Sequence, residues 1–143
     1  MVIRKAVIED ASSIRELIRQ LGYEIKASDV EKNITIYNEV KGHVLIAEEN
    51  SNIIGFVSGA FIPLFHSNEL MFRITALCVD QNSRSQGVGK HLINAIEEKC
   101  KDNNCFYLEV TSGAHRKEDA HLFYEKLSYK AYEGKRFRKT LEW

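Results

Sequence analysis

The sequence predicts a mixed fold, α/β or α+β, with roughly seven strands and four helices in one domain. Three observations carry this. Short apolar runs bounded by turn residues recur along the chain, as strands require. Other stretches repeat apolar residues every three or four positions, as amphipathic helices do. A glycine-rich junction, Ser83 to Leu92 ("SRSQGVGKHL"), joins one kind of run to the other.

The elements follow in order. "MVIRKAV" reads as an opening strand, and Asp10 as the N-cap of a helix carrying Ile14, Leu17, Ile18 and Leu21, with Gly22 as its stop. Ser28 and Glu31 form a capping-box pattern for a second helix, with Val30, Ile34 and Tyr37 as its apolar stripe. "HVLIAEE" and "NIIGFVSGAF" read as strands joined at Asn50-Ser51-Asn52, the second ended by Pro63. "LMFRITALCVD" is the next strand. Val88, Leu92, Ile93, Ile96 and Cys100 then mark an amphipathic helix, closed at Asn103-Asn104. "CFYLEVTS" is a strand, "KEDAHLFYEKL" a helix burying Ala120, Phe123 and Leu127, and "RFRKTLEW" a final alternating strand.

Composition narrows the function. The 143 residues suffice for one core, and 44% hydrophobic with 28% charged residues describes a soluble globular chain. Lys plus Arg and Asp plus Glu are equal at 20 each, which argues against nucleic-acid or membrane-surface binding. No apolar run reaches spanning length, and "MVIRKAVIED" turns charged at once, unlike a signal peptide. Cys78, Cys100 and Cys105 are odd in number and lack framework spacing, as free thiols in a reducing cytoplasm would be. No Cys/His grouping has zinc-site spacing, so no metal is expected.

Glycine, arginine and lysine at a strand–helix junction suit a phosphate. A P-loop fails, because His91 stands where a hydroxyl must hold the metal and no glycine stands five residues before Gly89. The dinucleotide pattern fits poorly, because Leu92 replaces its third glycine. The remaining pattern is R-x-x-G-x-G, from Arg84 to Gly89. Glycines let a pyrophosphate approach the backbone, where unpaired N–H groups and the positive end of a helix dipole meet it. An ordinary strand–helix turn is the plain alternative.

Ile74 to about Ala95 resembles the coenzyme A-binding motif of the GNAT superfamily of N-acetyltransferases. "DAHLFYEKLSY" resembles the same superfamily's A-x-x-x-Y-x-K-x-G-[FY] helix through Ala120, Tyr124, Lys126 and Tyr129. Two positions depart from the pattern: Ser128 stands where the family often has Gly, and Lys117 where it often has Asn. The resemblance implies a single N-acetyltransferase domain over residues 1–143, with a central, mostly antiparallel twisted sheet flanked by helices. It implies acetyl-CoA as cosubstrate and an amine, of a small molecule or a protein, as acceptor.

Site residues follow from the same resemblance. Backbone groups of Leu77, Cys78 and Val79 are expected to hold the pantetheine arm, on a strand that a bulge splays from its neighbour; the Val79 N–H is the expected oxyanion donor. Arg84, Ser85, Gln86, Gly87, Val88, Gly89 and Lys90 are expected to hold the pyrophosphate. Tyr124 read alone is a core aromatic beside Phe123; the resemblance makes it the general acid that protonates the leaving thiolate. The family's base positions fall on Arg73 and Thr75, neither a ready base, so Glu69, Glu109 and a water chain remain as alternatives. Tyr23, Glu24 and the Phe61 to His66 loop are expected near the acceptor, or the apolar loop packs on a second copy in a homodimer. A non-catalytic acyl-CoA sensor or partner-docking module is the rival reading.

Overall fold

The computed structural model describes residues 1–111 and 120–143. It falls into two units, Met1–Thr111 and Ser112–Trp143. The first contains β1 (Val2–Lys5), a 3-10 turn (Ile8–Asp10), α1 (Ala11–Gln20), α2 (Ala27–Glu39), β2 (Gly42–Glu49), β3 (Asn52–Pro63), β4 (Leu70–Val79), α3 (Val88–Asp102) and β5 (Tyr107–Val110). The second contains α4 (Leu122–Lys126). No helix among the described residues is long and apolar enough to cross a membrane.

Among the described residues the sheet has five strands in the order β1-β2-β3-β4-β5, not about seven. β1 to β4 pair antiparallel, and β5 joins β4 in parallel. β2 and β3 meet through a two-residue turn, Asn50-Ser51. Both φ angles are positive (51° and 65°), which matches the twist of a tight hairpin. The expected last strand is absent: among the described residues, 129–143 form no helix or strand, and Phe137 and Trp143 are exposed. Alternation makes "RFRKTLEW" competent for a strand, but a strand exists only when its backbone finds a ladder partner.

The strand period of two decides which helix packs on which face. Val44 and Ile46 of β2, Phe56 of β3 and Cys78 of β4 join Ile14, Leu17, Val30 and Ile34 in the core beneath α1 and α2. The opposite face carries Gly55, and a Cβ there would stand 3.1 Å from Val88 and 3.2 Å from Leu92 of α3. All five predicted apolar positions of α3 are buried. Cys100, on the same helix, is an inert thiol: burial, then its neighbour Cys105, pushes it up to about 12.

The expected side-chain caps are missing from the starts of α1 and α2. Asp10 holds the N-cap position of α1, but its carboxylate makes no bond to that helix; it takes two hydrogen bonds from Arg4 (2.8 and 2.9 Å) and one from the N–H of Val7, which precedes the 3-10 turn (2.8 Å). α2 begins at Ala27, and no side chain caps it, so Ser28 lies inside its first turn. In both cases a short polar residue near a helix start was read as a cap. At Asp10 a cation brought from β1 competes better for the carboxylate than a backbone N–H.

The second unit is read from its described residues alone. In α4, Tyr124 packs edge-on against Phe123 (centroids 5.2 Å, 75°) and Tyr129 (5.5 Å, 62°). Phe123 and Leu127 are half-buried rather than core, and α4 has no fully buried residue. Ser128 takes φ = +68° just past the helix end, the left-handed conformation that suits glycine. Lys117 and His115 lie outside the described residues.

The guanidinium of Arg4 holds the buried Asp10 carboxyl below the usual carboxylate range, so its contribution to stability is complete above the unfolded value and is lost as pH falls through the folded one. Asp10→Asn should cost about 2 kcal/mol at neutral pH, read from urea midpoints. The gap to the wild type should narrow below about pH 4.

Candidate active site

The site begins with one extra residue in β4. Ser58 of β3 pairs with Ala76 and Gly59 with Ile74, so Thr75 has no partner across the ladder. This is a β-bulge, as expected for this strand, and it turns the side chain of Thr75 onto the α1/α2 face beside Ala76. A glycine is required opposite: a Cβ on Gly59 would run into the Phe72 ring and the Arg73 carbonyl.

The bulge coincides with the end of the β4–β5 ladder. The two strands pair from Met71↔Tyr107 to Ile74↔Val110, where β5 ends. Beyond it β4 continues against β3 as far as Gly55↔Val79. The Asp80 N–H donates to Ile54 O at 2.8 Å, so Asp80 faces β3. Strand alternation then turns the amides of Val79 and Leu77 to the other edge, where β5 no longer pairs.

The chain leaves that edge through a tightly tied loop. Asp80 accepts hydrogen bonds from Gln20 Nε2 (2.8 Å) and the Asn82 N–H (3.1 Å) on its carboxylate, and from the Ser83 N–H (2.8 Å) on its carbonyl. Gln20 Oε1 accepts from the Gln81 N–H (3.0 Å). Thus the end of α1 fixes the loop entry, a role that nothing in the sequence pattern assigned to Gln20 or Asp80. Arg84 Nε reaches back to the Val79 carbonyl at 3.3 Å.

Ser85 and Gly87 both take positive φ (64° and 81°), and Gly87 is the N-cap of α3. No side chain caps this helix, and its first turn holds no acidic residue. The N–H groups of Val88, Gly89 and Lys90 therefore point out of the helix start with the positive end of the dipole behind them. His91 folds back on Gly87: its Nδ1 lies 2.7 Å from the Gly87 carbonyl, which only accepts, so Nδ1 carries the hydrogen. A pyrophosphate suits such an end, with charge from Arg84 and Lys90 nearby in the chain.

A model of the acetyltransferase (GNAT) family matches residues 9–129. This chain belongs to the GNAT acetyltransferase family. It is 30% identical over 111 residues to L-2,4-diaminobutyric acid acetyltransferase of Marinococcus halophilus, covering 78% of this chain and 62% of that protein. The chain thus spans under two thirds of the length of that relative. An uncharacterized N-acetyltransferase of Bacillus subtilis (strain 168), YhfO, is 28% identical over 141 residues, covering 94% of this chain and 93% of its own. Ribosomal-protein-alanine N-acetyltransferase from Brucella melitensis biovar Abortus 2308 shares the fold at TM-score 0.82 and 17% identity, over 98% of this chain and 100% of that one. So does an aminoglycoside acetyltransferase, meta-AAC0020, from an uncultured soil metagenomic sample, solved with sisomicin, at TM-score 0.77 and 20% identity over 99% and 96%.

Other expected residues of this GNAT chain lie apart from the β4 edge. Glu69 precedes β4 and is exposed, roughly 30 Å from Val79 at the rise of a strand. Glu109 lies opposite Arg73 and pairs with it at 3.4 Å, roughly 20 Å from Val79 along β4. Arg73 also donates to the Thr111 hydroxyl. Cys78, buried, directs its thiol to the Leu17 carbonyl at 3.3 Å, a packing role.

A cavity of about 210 Å³ opens between α1, α2 and the sheet beside the bulge. Ile14, Ile18, Val30, Ile34, Val44 and Phe56 form its walls. Tyr37, Ser58 and Thr75 join them through a hydroxyl chain: Thr75 Oγ1 lies 2.9 Å from Tyr37 Oη and 2.8 Å from Ser58 Oγ. Asn33 completes the polar lining. Tyr23, Glu24 and the Phe61 to His66 loop are not among its lining residues, and Phe65 is fully exposed. The inward stripe of α2 lines this cavity, and the loop before that helix does not.

Two glycines test this geometry. Gly59→Ala should destabilise by about 2–3 kcal/mol, because backbone and a packed ring must move. Gly87→Ala should cost about 1–2 kcal/mol through its positive φ alone. Urea titration of both variants checks the order.

Proposed function

We propose that this chain is an acetyl-CoA-dependent N-acetyltransferase acting on a primary amine of a small molecule or protein. The single observation that supports it most is the run of backbone donors from Leu77 and Val79, on the edge β5 leaves, into the uncapped start of α3. Acetyl-CoA, when bound, supplies an acyl carbon activated as a thioester. The pyrophosphate is held by main-chain N–H groups from Arg84 to Lys90, with Gly87 leaving room at the backbone. Leu77, Cys78 and Val79 hold the pantetheine arm through their backbone, and the Val79 N–H stabilises charge that develops on the thioester oxygen. Tyr124 gives its proton to the departing thiolate.

An alkylammonium near pKa ~10 must lose a proton before attack. Glu69 lies before the far end of β4 and Glu109 is held by Arg73 at 3.4 Å, so that proton leaves through water at the open bulge beside Thr75, which is exposed. The acceptor enters the cavity under α1 and α2, next to the strand that carries Val79.

Purified protein with acetyl-CoA and an amine panel should release free thiol. Tyr124→Phe should lower kcat on the order of 10²-fold while calorimetry finds acetyl-CoA affinity unchanged. Full turnover in the variant would remove Tyr124 from the reaction. Binding without turnover across the panel would favour a non-catalytic acyl-CoA sensor. Gly87→Asp, which brings bulk and negative charge to the loop, should abolish acetyl-CoA binding, whereas Lys90→Ala should weaken it only a few-fold.

A further inference from the structure

The acetyltransferase reading leaves the acceptor open, and the cavity beside the bulge bears on it. Its interior is aliphatic and aromatic, from Val30, Ile34, Val44 and Phe56, each under a tenth exposed. Its polar groups are neutral: the amide of Asn33 and the hydroxyls of Tyr37, Ser58 and Thr75. Thr75 is exposed, Tyr37 and Ser58 half-buried, so the hydroxyls lie toward the solvent side of the apolar pocket.

Resting on that reading, we propose that this cavity selects a small monoamine with an uncharged, apolar body, its nitrogen held by the Tyr37–Thr75–Ser58 hydroxyl chain. The hydrogen count supports the polar end. Three hydroxyls carry three hydrogens, and the two contacts at Thr75 use two of them. Whichever way the chain is directed, one donor and several lone pairs are left for an amine. The same atoms meet both forms of the nitrogen: lone pairs accept from an ammonium N–H, and the spare hydrogen donates to a neutral amine.

The apolar end sets the class. A hydrocarbon chain gains by leaving water for walls of Ile, Val and Phe. A second ammonium on that chain would lose its hydration with no carboxylate among the described lining residues to replace it. The acceptor therefore differs from the diamino acid in the name of the Marinococcus relative and from the polyamine sisomicin solved with the soil enzyme. Thr75 is a positioning and recognition residue. Its place depends on the bulge, since an unbulged strand would turn position 75 to the α3 face.

The test sets monoamines against amines with more than one cationic nitrogen: n-pentylamine against 1,5-diaminopentane at equal length, and isoamylamine against L-2,4-diaminobutyrate and sisomicin. At saturating acetyl-CoA, the monoamines should show kcat/KM at least about tenfold higher. Thr75→Val should raise the monoamine KM about tenfold, leave acetyl-CoA affinity unchanged, and be rescued by Thr75→Ser, which keeps the hydroxyl. Saturation-transfer NMR of isoamylamine on wild type and Thr75→Val reads the same contact without turnover. Diamines or sisomicin equal to or better than the monoamines would overturn the inference and leave acetyl transfer standing. So would an unchanged KM and NMR signal in Thr75→Val. No thiol release from any amine would instead sink the acetyltransferase reading, and the NMR comparison would still decide what the cavity binds.

Discussion

One unpaired residue organises this molecule. Thr75 interrupts an otherwise regular ladder between β3 and β4, and three consequences meet there. The parallel pairing with β5 ends at the neighbouring Ile74. The side chains of Thr75 and Ala76 turn to the same face, which sets a hydroxyl into the wall of the α1/α2 cavity. The amides of Leu77 and Val79 reach an edge that no strand among the described residues pairs with. The cost is local: a bulge needs a close neighbour without a Cβ, and Gly59 supplies it.

The rest of the first unit holds that edge in place. α1 is tied to the loop after β4 by Gln20 on Asp80 and Gln81, and to β4 itself by the Leu17 carbonyl that takes the Cys78 thiol. α3 packs on the far face through Val88 and Leu92 against Gly55, so the start of the helix is fixed where the loop delivers it. The backbone groups that an anion would meet are therefore held by packing and hydrogen bonds in the free protein. Preorganised donors of this kind need little rearrangement when charge arrives. The Arg4–Asp10 pair does a similar service at the other end of α1. It joins β1 to the helix entry, and Arg4 also reaches Glu48 of β2 at 3.1 Å.

Much of this was legible in the residues. The junction from Ser83 to Leu92 stood out because glycine and arginine at a strand–helix boundary answer a steric and electrostatic need that is local to the chain. The stripe on α3 was legible for a similar reason: period and burial agree at Val88, Leu92, Ile93, Ile96 and Cys100. Asp10 misled because its sequence neighbours suit a cap, while the group that claims it, Arg4, arrives from a strand. Thr75 was noted only as an unsuitable base, since its hydroxyl partners Ser58 and Tyr37 stand 17 and 38 residues away. Gln20 and Asp80 gave no signal, their contact spanning 60 residues.

The sequence by itself determined what depends on neighbours within a few residues: the alternation of strands, the faces of α1 to α3, the Asn50-Ser51 turn and the left-handed Gly87. Those features follow from backbone sterics and from the 2.0 and 3.6 periods, which any short window displays. Only the tertiary structure decided the five-stranded sheet, the absence of a strand in 129–143, the bulge and the hydroxyl chain. Each of these requires a partner distant in sequence, because a strand is completed by another strand's amides and a polar side chain by the atoms that the fold brings to it.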